Sequence, residues 1–141
     1  MAEADLTVAR TAAPRTPLYL GLLAYPAGRA AALGTELDRV LAQCTSFTST
    51  VPGTPGRTRH QLSREPLPSG DTPTDGGADS LTGFTLLSGD GATALAQRAE
   101  VARVGTVLAV LSTVGTAKEP AAGPDPAVLT AQARRLRAAQ G

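Results

Sequence analysis

Ala99-Glu100-Val101-Ala102-Arg103-Val104-Gly105-Thr106-Val107-Leu108-Ala109-Val110-Leu111-Ser112-Thr113-Val114-Gly115 reads as two β-rich runs either side of one glycine. β-branched and aliphatic residues dominate both halves, and Gly105 marks the reversal between them. The expected elements are strands over Ala94–Val104 and Thr106–Val114 about a Gly105 turn. The stretch states how the chain folds and offers no reaction.

Working outward, Leu6–Arg10 alternates weakly, as a short strand does. Thr16–Tyr25 is a short unbroken apolar run bracketed by Pro17 and Pro26, which reads as a strand. Pro26-Ala27-Gly28 opens a helix expected over Ala27–Cys44, with Leu33, Leu37, Val40, Leu41 and Cys44 on one face. Gly34 inside it costs about 1 kcal/mol against alanine, which suggests close approach of this helix to a sheet. Thr45–Val51 and Arg57–Leu67 make a hairpin about the Pro52–Gly56 turn. Pro66–Asp79 is a solvated loop, with three Pro, three Gly and three Asp. Leu81–Leu87 is a strand closed by Ser88-Gly89-Asp90-Gly91. Lys118–Pro126 connects to a final helix over Pro126–Gln140, which Asp125 caps and Pro126 starts. Its inward stripe is Val128 or Leu129, Ala133 and Leu136. Thr7-Val8-Ala9-Arg10 and Glu100-Val101-Ala102-Arg103 each precede a strand, a proline-containing bend and a helix, a faint internal echo.

Composition bounds the function. A chain of 141 residues is one domain's worth, and with two Tyr, two Phe and no Trp its core is aliphatic. Thirteen basic residues against 12 acidic leave no global field to recruit nucleic acid or an anionic membrane. Twelve of the basic residues are arginine, which with the Ala, Gly, Pro and Thr content is the coding bias of a GC-rich bacterial genome. No run approaches the roughly 20 apolar residues that span a bilayer. Cys44 is the sole cysteine, so no disulfide forms within this sequence.

Candidate chemistry is sparse. His60 is the only histidine and therefore the only usual base for a nucleophile–His–acid triad; no Gly-x-Ser-x-Gly elbow accompanies it. Asp71, Asp75 and Asp79 recur every four residues, but in a Pro/Gly loop and without the closer oxygen spacing of a calcium site. Ser88–Gly91 has two glycines of a phosphate loop and lacks the Lys-Ser/Thr and the following helix. Arg57, Arg59 and Arg64 cluster without interleaved aromatics, as a charged edge strand does. Cys44 and the aromatics Tyr19, Tyr25, Phe47 and Phe84 read as packing residues. The residues imply no catalytic centre, no cofactor and no metal site, and they leave any ligand-binding residues open.

The run Asp38-Arg39-Val40-Leu41-Ala42-Gln43-Cys44-Thr45-Ser46-Phe47-Thr48 resembles secreted actinobacterial sensor-domain lipoproteins, relatives of the extracellular domain of PknH-type receptor kinases. Val101-Ala102-Arg103-Val104-Gly105-Thr106-Val107-Leu108-Ala109-Val110-Leu111 is similar to a hairpin of that family, and the closing helix fits its C-terminal helix. The resemblance implies an α+β fold, an envelope location and a ligand- or partner-sensing role without a catalytic centre. Three family features are missing from this sequence: an export signal, a lipid-attachment cysteine near the start, and paired cysteines. A start inside a longer exported protein would explain all three, with a disulfide partner for Cys44 supplied from outside this sequence.

The expectation is one α+β domain over residues 1–141. It has an antiparallel sheet of five to seven strands with both main helices packed on one face. Its function is that of a non-catalytic sensor or binding domain of the actinobacterial cell envelope, recognising a small ligand or a protein partner. The alternative is a cytoplasmic interaction protein that self-associates, as a homodimer, through its sheet. Neither reading involves nucleic acid or a transmembrane segment.

Overall fold

The computed structural model describes residues 2–9, 17–43, 45–65 and 77–141, of which 2–9 by their backbone. In chain order the elements are β1 (Ala2–Ala9), β2 (Pro17–Ala24), α1 (Arg29–Gln43), β3 (Ser46–Ser49), β4 (Thr58–Glu65), β5 (Ser80–Ser88), β6 (Leu95–Val104), β7 (Val107–Thr116) and α2 (Pro126–Gln140). A single 3-10 turn at Gly91–Thr93 follows β5. The strands form one antiparallel sheet in the order β1-β2-β7-β6-β5-β4-β3. The fold is α+β, with seven strands. Cys44 and the segment 66–76, including Asp71 and Asp75, lie outside the described residues.

The quoted stretch forms the centre of this sheet. β6 and β7 pair without interruption from Val104↔Val107 to Leu95↔Thr116. Gly105 and Thr106 close them, with Gly105 at φ +59°. Glycine at the first of two turn positions suits the primed turn whose twist matches the strands. Strands β3 to β7 then form a meander of sequence neighbours, while β2 returns to the other side of β7 through Tyr19↔Ser112 and Ala24↔Val107.

Alternation along the strands decides where each helix sits. Leu18 and Leu20 of β2, Ala102 of β6, and Ala109 and Leu111 of β7 pack with Leu129 of α2, flanked by Leu22, Leu81, Val128 and Leu136. Residues of the opposite parity, Val101 and Leu108, pack with Ala30 of α1, flanked by Leu23, Tyr25, Phe84, Val110, Leu33 and Leu37. The two helices therefore cover opposite faces, which corrects the expectation that both share one. The cause is visible in the central hairpin, where both parities are apolar. A strand buried on both sides reads as a continuous apolar run, and one buried on a single side alternates.

Local chemistry sets the helix limits. Gly28 turns the chain into α1 at φ +82°, and Arg64 and Thr82 donate to Asp38 Oδ1 at 2.9 and 3.3 Å, tying its exposed flank to β4 and β5. Within the expected stripe of α1, Leu41 is buried and Leu33 and Leu37 are half-buried, whereas Val40 is exposed. α2 begins where expected, with Asp125 accepting from the Ala127 N–H at 2.9 Å and Pro126 in the first turn. Leu129 and Ala133 are its buried residues. β3 is shorter than expected and exposed throughout. The echoed units β1-β2-α1 and β6-β7-α2 share element order only. Their helices lie on opposite faces of hairpins joined through β2 and β7, so the units have opposite hands.

The close backbone approach expected at Gly34 occurs instead at Gly115. A Cβ at Gly34 would meet nothing within 4 Å, so close helix–sheet approach is not its purpose. A Cβ at Gly115 would collide with the backbone of 119–121, falling 2.6 Å from Glu119 O. There the connection to α2 crosses β7 at backbone distance, held by Thr113 Oγ1 donating to Ala122 O at 2.6 Å. Gly34→Ala is accordingly expected to stabilise the fold by about 0.5–1 kcal/mol. Gly115→Ala is expected to destabilise it by about 2–3 kcal/mol. Urea unfolding of the two variants checks both signs.

Candidate functional site

His60 lies on β4, and its neighbours come from the strands on either side. Its Nε2 is 2.6 Å from Ser49 Oγ on β3 and its Nδ1 is 2.8 Å from Ser88 Oγ on β5. In either tautomer one ring nitrogen accepts a serine O–H and the other donates its N–H. The Phe47 ring stacks on the imidazole at 4.6 Å between centroids, 18° from parallel. Among the described residues no carboxylate touches the ring, so the partner that orients a triad histidine is missing there. The three side chains act as a polar clasp that fastens the short edge strand β3 to β4 and β5.

The other sequence candidates are dispersed. Asp79 accepts from Arg103 Nη1 at 3.2 Å, from the Gly105 N–H at 2.7 Å, and from Arg137. Arg137 also donates to Gly77 O at 2.9 and 3.1 Å, and the Gln140 amide donates to Val104 O at 2.8 Å. These bonds lock the end of α2 onto the β6–β7 turn. Ser88–Gly91 is a hairpin turn into β6, and it borders an open depression of about 180 Å3 with Arg59, Gln61 and Ala117. Arg59 and Arg64 alternate onto opposite faces, and Arg64 is paired with Asp38. The arginines thus form no common patch. No group of three potential metal ligands occurs among the described residues, and no helix is long and apolar enough to cross a membrane.

Glu100 was not singled out by the sequence. It sits on the α2 face beside Leu111, at 8% exposure, and among the described residues no hydrogen bond holds its carboxylate. Burial pushes its carboxyl above the ordinary range, against Arg98 and with Asp125 adding to the rise. Asp79 goes the other way. Burial would raise it, but the Gly105 N–H, Arg137 and Arg103 outweigh that and hold it low.

One coherent feature of the described surface is apolar. Cross-strand register places Tyr19, Phe47, Leu95 and Val114, at 45, 42, 55 and 39% exposure, on the face that carries α1. Half-buried Leu62 and Leu86 lie between them on β4 and β5. Helix α1 crosses the same face over Leu108, Val101 and Phe84, and the rows from Val114 to Leu62 and from Thr116 to Phe47 extend beyond that cluster. Those two rows hold no Asp, Glu, Lys or Arg. The opposite face of the same strands carries Arg59, Glu65, Arg98 and Glu100. Contiguous exposed apolar surface marks an interaction site more often than scattered apolar residues do. Sequence reading reached Phe47 and Tyr19 as packing residues and missed the patch, because its members come from six strands and only register joins them.

No protein-family model matches the chain, and no curated protein or solved structure matches it either.

Two titrations test the carboxylates. Glu100→Gln removes a group that is harder to ionise folded than unfolded. The variant is expected to melt a few degrees higher at pH 7, with the gain vanishing as pH falls toward about 4. Asp79→Asn removes a group that is easier to ionise folded. It is expected to cost about 1–2 kcal/mol at neutral pH, a loss that shrinks below about pH 4 as the native carboxyl itself protonates. Thermal melts across pH 3–8 read both.

Proposed function

We propose that this chain is a non-catalytic binding domain whose contact surface is the uncharged apolar part of the α1-bearing sheet face. The observation that carries this reading is the register that gathers Phe47, Leu62, Leu86, Leu95 and Val114 beside one another, with no charged residue in their two rows. The His60 clasp supports it, since both ring nitrogens are engaged internally and, among the described residues, no carboxylate joins them. The likeness of Asp38–Thr48 and Val101–Leu111 to actinobacterial sensor-domain lipoproteins suggests a sensor of the cell envelope, recognising a small ligand or a protein partner. The neutral character of the patch favours a second reading, an interaction protein that self-associates through its sheet.

Photo-crosslinking in cells tests the surface. A photoreactive residue at Leu95 is expected to give adducts in the compartment where the protein resides, and one at Ser63 on the other face is not. Equal yields at the two positions, or none at Leu95, would overturn the reading. Fractionation of the same cells places those adducts in the envelope or the cytoplasm.

A further inference from the structure

We infer that the occupant of this apolar face is a second copy of the chain, docked sheet to sheet about a two-fold axis near Gln97. The inference rests on the binding reading above and identifies its partner. Gln97 lies in the row Val114–Gln97–Leu86–Leu62, between apolar neighbours on the adjoining strands. It is half-buried, and among the described residues no hydrogen bond holds its amide. A primary amide carries both a donor and an acceptor, so it is complementary to its own copy. At a two-fold axis two such amides satisfy each other, as an isologous interface requires of whatever lies on its axis.

Charge and desolvation point the same way. Two rows without charged residues meet their own copies without like-charge repulsion, which rows of one sign would not. The polar groups of the clasp near Gln97 are largely engaged already: Ser49 and Ser88 both bond His60, so covering them leaves a single serine O–H to be satisfied across the contact. A polar ligand would find little here to recognise, while a second apolar sheet face fits.

The area is that of a weak contact. Five strands spaced about 4.8 Å apart, with the two same-face rows left free by α1, span about 24 Å by about 14 Å. Each copy thus offers on the order of 340 Å2 in plan and the pair about 700 Å2 before side-chain relief is added, within the range of weak, transient interfaces. Such a contact is modest in size, so association is expected to depend on concentration in the micromolar range. Packed sheets of this kind lie about 10 Å apart with their strands some 30° from parallel.

Sedimentation equilibrium of the full chain from about 1 μM to about 1 mM is expected to show mass rising from 14.2 kDa toward twice that value. Leu95→Arg and Val114→Arg are expected to weaken dimerisation at least about 100-fold, and Gln97→Glu about 10-fold or more, each with an unchanged far-UV spectrum. Ser63→Arg, on the other face, is expected to leave it unchanged. Should an arginine variant fail to fold, Gln97→Cys in a Cys44→Ser background replaces it. A short bismaleimide is then expected to capture a dimer at residue 97 and none from Ser63→Cys. A wild-type chain that stays monomeric throughout, or a dimer indifferent to the substitutions, overturns the inference. If the Leu95 photo-adducts carry a mass other than twice the chain's, the second copy falls while the binding reading stands.

Discussion

Everything in this molecule follows from the uninterrupted pairing of β6 with β7. Ten residue pairs run from the Gly105–Thr106 turn to Leu95↔Thr116 without a bulge, so one parity is fixed along the whole hairpin. With parity fixed, Ala102, Ala109 and Leu111 must face α2, and Val101, Leu108 and Val110 must face α1. A one-residue slip would exchange the two sets and leave each helix over the wrong side chains. The lock between Asp79, Gly105, Arg103 and Arg137 secures the same turn from outside, joining the end of α2 to the start of β5 and the hairpin between them.

The buried carboxylate and the external one illustrate how that frame distributes electrostatic cost. Asp79 is offered three donors at the rim of the sheet and is held ionised. Glu100 is placed by the same register under α2, near one arginine and one further acid, and its charge is disfavoured. Neither needs a catalytic role to account for its state. Position in the ladder, set by the hairpin, is a sufficient cause.

Much of the fold was legible in the sequence because its strongest signals are local. The Gly105 turn, the Asp125-Pro126 start of α2 and the leucine period of α1 each arise within a few residues, and each element sits within a few residues of its expected place. The helix placement was encoded but ambiguous: Ala102, Ala109 and Leu111 suit a covered face whether or not the opposite parity is covered as well. Gly34 misled because a glycine in a helix invites a packing reason, and here the space beside it is empty. The apolar patch was illegible for a different reason. Phe47, Leu62, Leu86, Leu95 and Val114 are unremarkable one at a time, and their adjacency depends on the exact register of four successive strand pairings. The Ser49–His60–Ser88 clasp was hidden likewise, its serines being 11 and 28 residues from the histidine.

The position of β2 in the strand order has a kinetic corollary. Strands β3 to β7 join sequential neighbours, so their ladders close short loops, whereas Tyr19 must find Ser112 across most of the chain. Loop-closure entropy makes such a long-range pairing the slow one. The β1–β2 arm is therefore the last part to zip onto the sheet, with α1 as its tether. Until it arrives, the flank of β7 is an open template, and an arm from another molecule could occupy it as readily as the chain's own. Strand exchange is thus the misassembly to which this topology is most prone.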